Sequence, residues 1–389
     1  MIYRDFGKEN LSMLGFGTMR LPVSDGKIDV RAVEEMTELA ISNGVNYFDT
    51  AFPYHDGESE KVIGKILSKY DRLSYNLATK YPGHQISERY DPQAIFERQL
   101  KKCGVEYFDF YLLHNVYENS IGVYTDKRWG IIEYFLKQKQ NGRIRHFGFS
   151  SHGLSDLLIK FLDMYGNEME FCQIQLNYLD WTLQDAKAKY ELLTERNIPV
   201  WVMEPVRGGK LASLGKNENA LKNIRPGKSI ASLAFRWLMR LDNVKVVLSG
   251  MSNVPQMKDN LDTFKRFDPL SDGEAELLES VAESLKSSIP CTACGYCLDG
   301  CPMGLDIRML LATLNEIRYA PVTNSVMRLD ALPKEKLPSA CLGCGACAAV
   351  CPQKIDVPSS LAELSERLKS IRKWSDICKE REEAAKRDI

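Results

Sequence analysis

Eight strand-length apolar runs recur along roughly the first 285 residues, with amphipathic segments of helical period between and after them. The runs lie at 14–19, 46–49, 74–80, 108–114, 144–149, 171–176, 198–203 and 244–248. The helical segments lie at 30–43, 58–70, 92–104, 129–141, 153–165, 183–196, 229–241 and 271–287. Short runs with little polar interruption, alternating with helices, indicate a parallel sheet buried on both faces. Eight such units predict a closed (β/α)8 TIM barrel. The rival, an open doubly wound sheet, calls for a G-x-G-x-x-G fingerprint after an early strand, and GFGTMR at 15–20 does not supply it. The opening MIYRDFGKENLSMLGF places a turn-prone GKEN between extended pieces, which predicts an N-terminal hairpin across the barrel bottom.

The pattern changes after residue 286, so the expected domains are 1–286 and 287–389. Eight of the 11 cysteines fall in CTACGYCLDGCP, from Cys291, and CLGCGACAAVCP, from Cys341. Both read C-x2-C-x2-C-x3-C-P, a spacing that suits an iron–sulfur cubane better than a zinc tetrahedron. Cys103, Cys172 and Cys378 lack such spacing and are expected to be packing or surface residues. Residues 302–340 separate the two runs and include the helix-like DIRMLLATLNEIRYA, and the tail from Ser359 reads as one amphipathic helix. With 51 basic and 52 acidic residues, the chain has no electrostatic footprint for nucleic acid. No apolar run is long enough for a membrane span, and the N-terminus has no signal-peptide core. Clustered cysteines fit a reducing compartment, so a cytoplasmic location is expected.

The chemistry-bearing residues sit at strand ends. FDTAFPYHDGESE puts Asp49 at the end of the second barrel strand and Tyr54 on the loop beyond; Lys80 and His114 end the next two. In a barrel of this kind, all four meet at the mouth formed by the βα loops. Carbonyl reduction by hydride needs a proton donor at the oxygen, and Tyr54 supplies a phenol whose ordinary pKa is about 10. A neighbouring ammonium, Lys80 held by Asp49, is expected to lower it. His114 would donate to the carbonyl oxygen and orient it.

FDTAFPYHDGE with the downstream Lys and His resembles the aldo-keto reductase superfamily over about residues 1–285, and the cysteine-rich extension resembles its ferredoxin-fused branch. The resemblance implies a catalytic tetrad of Asp49, Tyr54, Lys80 and His114 around NAD(P)H. It also implies a set of cofactor contacts. Thr18 and Met19 approach the nicotinamide ribose. Ser150, Ser151 and Gln173 hold the carboxamide, with Ser151 standing where the family has Asn. Met203 covers the ring, and Gly208 lies on the loop over the pyrophosphate. Gly250, Gln256, Asp259 and Asn260 form the adenosine-phosphate site at a helix N-terminus. The distance between the cysteine runs resembles the α-helical ferredoxin type. In two-cluster ferredoxins the fourth cysteine of each run ligates the other cluster. That implies one [4Fe–4S] cluster on Cys291, Cys294, Cys297 and Cys351, and a second on Cys341, Cys344, Cys347 and Cys301.

Three functional readings stand at this point. The first is an NAD(P)-linked carbonyl reductase or alcohol dehydrogenase with an electron-transfer module that exchanges with a soluble ferredoxin or flavodoxin. The second is a flavin- or ferredoxin-linked enzyme using the barrel mouth, since a phosphate site at the last strands would also accept FMN. The third makes the ferredoxin part a structural or docking module. The loop from Asn115 to Gly130 offers aromatic side chains for the substrate, a small carbonyl or alcohol.

Overall fold

The computed structural model describes residues 1–85, 87–214, 218–285, 289, 291, 295–351 and 353–387. A hairpin comes first: β1 (Tyr3–Phe6) pairs antiparallel with β2 (Glu9–Ser12). Then β3 (Leu14–Gly17) opens the barrel, and a small hairpin, β4 (Val23–Ser24) and β5 (Lys27–Ile28), follows. The barrel continues with β6 (Tyr47–Asp49), β7 (Asn76–Tyr81), β8 (Phe108–Leu113), β9 (Ile144–Ser151), β10 (Cys172–Gln175), β11 (Val200–Met203) and β12 (Val244–Ser249). All eight strands pair in parallel, and β12 closes on β3 through Val247 and Leu14. Every residue of β7 and β8 is buried, as a sheet covered on both faces requires.

Phe6 and Leu11 carry the first hairpin into the barrel core beside Tyr47, Phe110, Phe171 and Trp201. The Phe6 ring meets Trp201 edge-on, with centroids 5.0 Å apart. The second hairpin was not foreseen. Its signal is Asp25-Gly26, both at positive φ (52° and 76°), the conformation that a two-residue hairpin turn demands. Helix starts follow readable caps. Asp29 accepts from the Ala32 amide, Asp91 from that of Ala94 ahead of Pro92, and Asn253 from that of Gln256.

The chain divides into two compact units: Met1–Trp181 with Asp185–Val281, and Ala282–Ile389 with Thr182–Gln184. In the second unit the helices Ile307–Tyr319 and Val357–Leu368 pack on one another through Leu310, Leu314, Leu361 and Leu364. Their starts are capped alike, by Asp306 on the Met309 amide and by Asp356 on that of Ser359. The tail is two helices rather than the expected one, the second being Trp374–Arg387. Its start is fixed by Trp374, which is buried and donates its amide to Asp330 Oδ2 (2.9 Å).

Candidate active site and cluster pockets

Asp49 ends β6, Lys80 is the penultimate residue of β7, and His114 directly follows β8. The short 3-10 turn Tyr54–Gly57 carries the tyrosine. Lys80 Nζ donates to Asp49 Oδ1 (2.5 Å) and to the Thr50 carbonyl (2.8 Å) and stands 5.1 Å from the Tyr54 ring centroid. The Tyr54 and His114 rings meet edge-on at 5.9 Å. Thus the four expected residues come together. Burial pushes the Asp49 carboxyl up and the Lys80 ammonium down, and each group partly holds the other charged.

One expectation is corrected. Burial holds the Tyr54 phenol well above its ordinary value, with Asp49 and Glu204 adding to the effect and Arg20 opposing it. The Lys80 ammonium, bonded to Asp49 and the Thr50 carbonyl, does not offset that burial. The phenol therefore keeps its proton, which suits an acid that acts only when negative charge develops beside it.

The base of the site is braced by buried hydroxyls. Thr18 Oγ1 donates to the Asp49 carbonyl (2.9 Å) and accepts from Ser59 Oγ (2.7 Å), which also bonds Thr50 Oγ1 (2.9 Å). Thr18 is thus fully buried, whereas Met19 is exposed. After Tyr54 the backbone runs through His55 (φ 50°) and Asp56 (φ 55°), a conformation costly for non-glycine residues and concentrated at functional sites. His55 Nε2 accepts from the Leu21 amide (3.2 Å) and pins this turn to the first barrel loop.

The proposed carboxamide contacts divide. Gln173 is buried, its Nε2 lies 3.6 Å from Met203 Sδ, and its Oε1 has no hydrogen-bond partner among the described residues. A buried orphan acceptor fits a carboxamide N–H. Ser150 Oγ instead accepts from the Asn115 amide (2.8 Å), and Ser151 Oγ donates to the Val116 carbonyl (2.7 Å). Both serines therefore fasten the loop after β8. Farther around the mouth, Asp259 accepts from Ser229 Oγ (2.6 Å), Asn260 donates to Ser249 Oγ (2.8 Å), and Gln256 Oε1 accepts from the Ser252 amide (2.8 Å). These side chains brace the helix Val254–Thr263.

Three residues escaped the sequence reading. His84, buried, lies with its ring centroid 4.2 Å from that of His114. Asn115, at φ 56°, accepts from the His152 amide (3.0 Å). Arg20 pairs with Glu204 (3.1 Å) and lies against both Gly208 and Gly250: a Cβ at Gly208 would sit 2.8 Å from Arg20 Nη2, and one at Gly250 3.3 Å from Arg20 Cβ. Its available signal was a lone cation just after GFGTM. The aromatic loop after β8 is also placed differently from expectation. Tyr117 and Tyr124 are buried, and Tyr124 donates to the His114 carbonyl (2.6 Å), so it supports that residue's backbone.

The cysteines line two apolar pockets. Cys301, Cys341, Cys344 and Cys347 line the first, among Leu305, Ile307 and Leu361. Cys291, Cys297 and Cys351 line the second, and Cys294 lies outside the described residues. Each pocket therefore draws its fourth-position cysteine from the opposite run. Gly295 and Gly345, at φ 85° and 76°, start one-turn helices that carry Cys297 and Cys347. Among the described residues no three His, Cys, Asp or Glu side chains converge as one bound ion would require. Thiols arranged around an apolar cavity fit a larger cluster. Cys103, Cys172 and Cys378 are buried packing residues.

An eight-stranded parallel barrel with polar residues gathered at its strand C-termini defines a TIM-barrel enzyme. The chain belongs to the aldo/keto reductase family: residues 13–283 match the Aldo/keto reductase family, and residues 290–355 match a 4Fe-4S dicluster domain. It is an oxidoreductase of aldo/keto reductase type carrying a ferredoxin-type domain. Among relatives, it is 24% identical over 323 residues to the NADH-specific methylglyoxal reductase of Escherichia coli, covering 71% of this chain and 96% of that one. It is 26% identical over 305 residues to the L-galactose dehydrogenase of Arabidopsis thaliana, covering 71% and 92%. The holo form of an aldo-keto reductase from Bacillus halodurans superposes with a TM-score of 0.59 at 25% identity, covering 72% of this chain and 96% of that one. No helix among the described residues is long and apolar enough to cross a membrane.

Proposed function

We propose that the barrel reduces a small carbonyl compound, or oxidises the corresponding alcohol, with NAD(P)H, and that the C-terminal domain holds two [4Fe–4S] clusters that exchange electrons with a soluble ferredoxin or flavodoxin. The observation that carries the reading is the buried Lys80–Asp49 pair beneath Tyr54, with His114 against the tyrosine ring. A nicotinamide bound at this mouth supplies hydride. Gln173 would accept from its carboxamide, Met203 would lie beside the ring, and Arg20, next to Gly208 and Gly250, would face the phosphates. Tyr54 gives its proton to the carbonyl oxygen, His114 orients that oxygen, and the Lys80 charge stabilises the phenolate left behind. Thr18, Ser59 and Thr50 keep the Asp49–Lys80 pair in register.

The cysteine pockets support the cluster assignments of Cys291, Cys297 and Cys351 for one and of Cys341, Cys344, Cys347 and Cys301 for the other, and the spacing of the first run adds Cys294 to the first set. The clusters supply one-electron redox chemistry, while the residues around them set their potentials and their access to a carrier. Tyr54→Phe tests the barrel reading. It should abolish carbonyl reduction, by at least about 100-fold, the lower range for losing an acid catalyst, while NADH still quenches protein fluorescence. Unchanged turnover would refute the tetrad.

A further inference from the structure

Hydrogen bonds fix the backbone on which His114 stands. Its amide donates to the Tyr81 carbonyl (3.0 Å), one residue beyond the paired Tyr81 and Leu113 of β7 and β8. Its own carbonyl accepts from the Tyr124 phenol (2.6 Å). A backbone held in this way still leaves the imidazole two side-chain torsions, and the second of these is broad. The direction of the ring is therefore set by what the side chain meets. Tyr54 meets it edge-on, with centroids 5.9 Å apart. His84 lies closer, at 4.2 Å, with the two planes tilted by 56°.

The chain is built to place His84 there. The residue is only 5% exposed, although it lies on the loop after β7. The Tyr124 phenol that holds the His114 carbonyl also takes a backbone hydrogen bond from His84. One buried hydroxyl thus fastens the main chain of both histidines. Gly83 makes room for that tyrosine: a Cβ at Gly83 would sit 2.6 Å from Tyr124 Cε1 and 2.9 Å from its Cζ. The Gly83-His84 step and the short helix Ile121–Thr125, which carries Tyr124, are therefore fitted to one another.

A group that orients a reacting oxygen works only in a narrow geometry, and a displacement of about 1 Å can cost about 100-fold in rate. We propose that His84 is a positioning residue for carbonyl reduction: its ring holds the His114 imidazole in the direction from which it donates to the carbonyl oxygen. It acts through that ring contact and not by touching substrate. The inference rests on the tetrad reading above.

The test uses the full-length protein, NADH and a panel of small aldehydes and ketones, methylglyoxal and benzaldehyde among them, in steady-state and single-turnover kinetics. The two readings fail differently. Wild-type protein that reduces none of the panel overturns the tetrad reading, and this inference with it. With an active wild type, His84→Ala should lower kcat by about 10- to 100-fold, with KM and NADH affinity little changed. His84→Phe, which restores a ring without nitrogen, should recover most of that loss. In a His114→Ala background, His84→Ala should cost nothing further, because the group it acts through is gone. Tyr124→Phe, which keeps the ring but removes the hydroxyl, should lower kcat in the same His114-dependent way, and it carries the test if His84→Ala does not fold. An unchanged kcat in His84→Ala, an equal loss with and without His114, or a loss that phenylalanine does not recover would overturn the proposal.

Discussion

Replacing Lys80 with Met exposes how the candidate site is held together. Lys80 and Asp49 are almost wholly buried, with side-chain exposures of 0% and 3%, and are bonded at 2.5 Å. Asp49 Oδ2 has no hydrogen-bond partner among the described residues, so the ammonium is the principal support of that carboxylate. Methionine fills similar volume and leaves the carboxylate buried and unpaired. Breaking a buried pair in this way costs about 3–5 kcal/mol. At about 2–4 °C per kcal/mol for a domain of this size, the barrel transition should fall by roughly 6–20 °C. The double variant Asp49→Asn, Lys80→Met removes both charges and should recover most of that loss. The pH dependence has a definite sign. Without Lys80 the folded carboxyl binds its proton more tightly than the unfolded one, whose pKa is about 3.9. The single variant should therefore lose stability as pH rises from about 4 through the raised folded value, and regain it in acid. Differential scanning calorimetry of the full-length chain follows both effects. Equal losses in the single and double variants, or a loss below about 2 °C, would show that the pair does not organise the mouth.

Two further outcomes follow from the rest of the chain. Gly250 and Gln256 offer no charge to a 2′-phosphate, and Arg20 is already paired with Glu204, so NADH should bind at least as tightly as NADPH; a fluorescence titration with NADPH much tighter would contradict this. Cys344→Ala should remove one cluster and abolish electron exchange with a reduced one-electron dye, while NAD(P)H-linked turnover persists. Full dye exchange by a folded, cluster-deficient variant would leave the clusters a structural role.

The barrel was legible because its signals are local and repeated. The eight runs differ from the observed strands by only a few residues at their ends, and Asp49, Lys80 and His114 reach one mouth because the parallel topology aligns strand C-termini. The cysteine runs were equally readable from spacing. What escaped depends on contacts between distant segments. Nothing around His84 in the chain announces that its ring rests on His114, and Arg20 gains meaning only where three loops meet. The direction of the Tyr54 shift was misjudged because sequence shows the ammonium but not the burial, nor how completely Asp49 and the Thr50 carbonyl occupy it. The break in the tail was hidden for the same reason, since Asp330 supplies the cap of the last helix from far upstream.

The central claim is that the barrel mouth moves hydride from a nicotinamide to a carbonyl carbon. NADH carrying deuterium at the hydride position, incubated anaerobically with the protein and a panel of small aldehydes and ketones, tests it by mass spectrometry of the alcohol formed. The account predicts one deuterium on the former carbonyl carbon, and none when Tyr54→Phe replaces the wild type. Alcohol formed with solvent hydrogen on that carbon would contradict the account and favour electrons delivered through the clusters or a flavin.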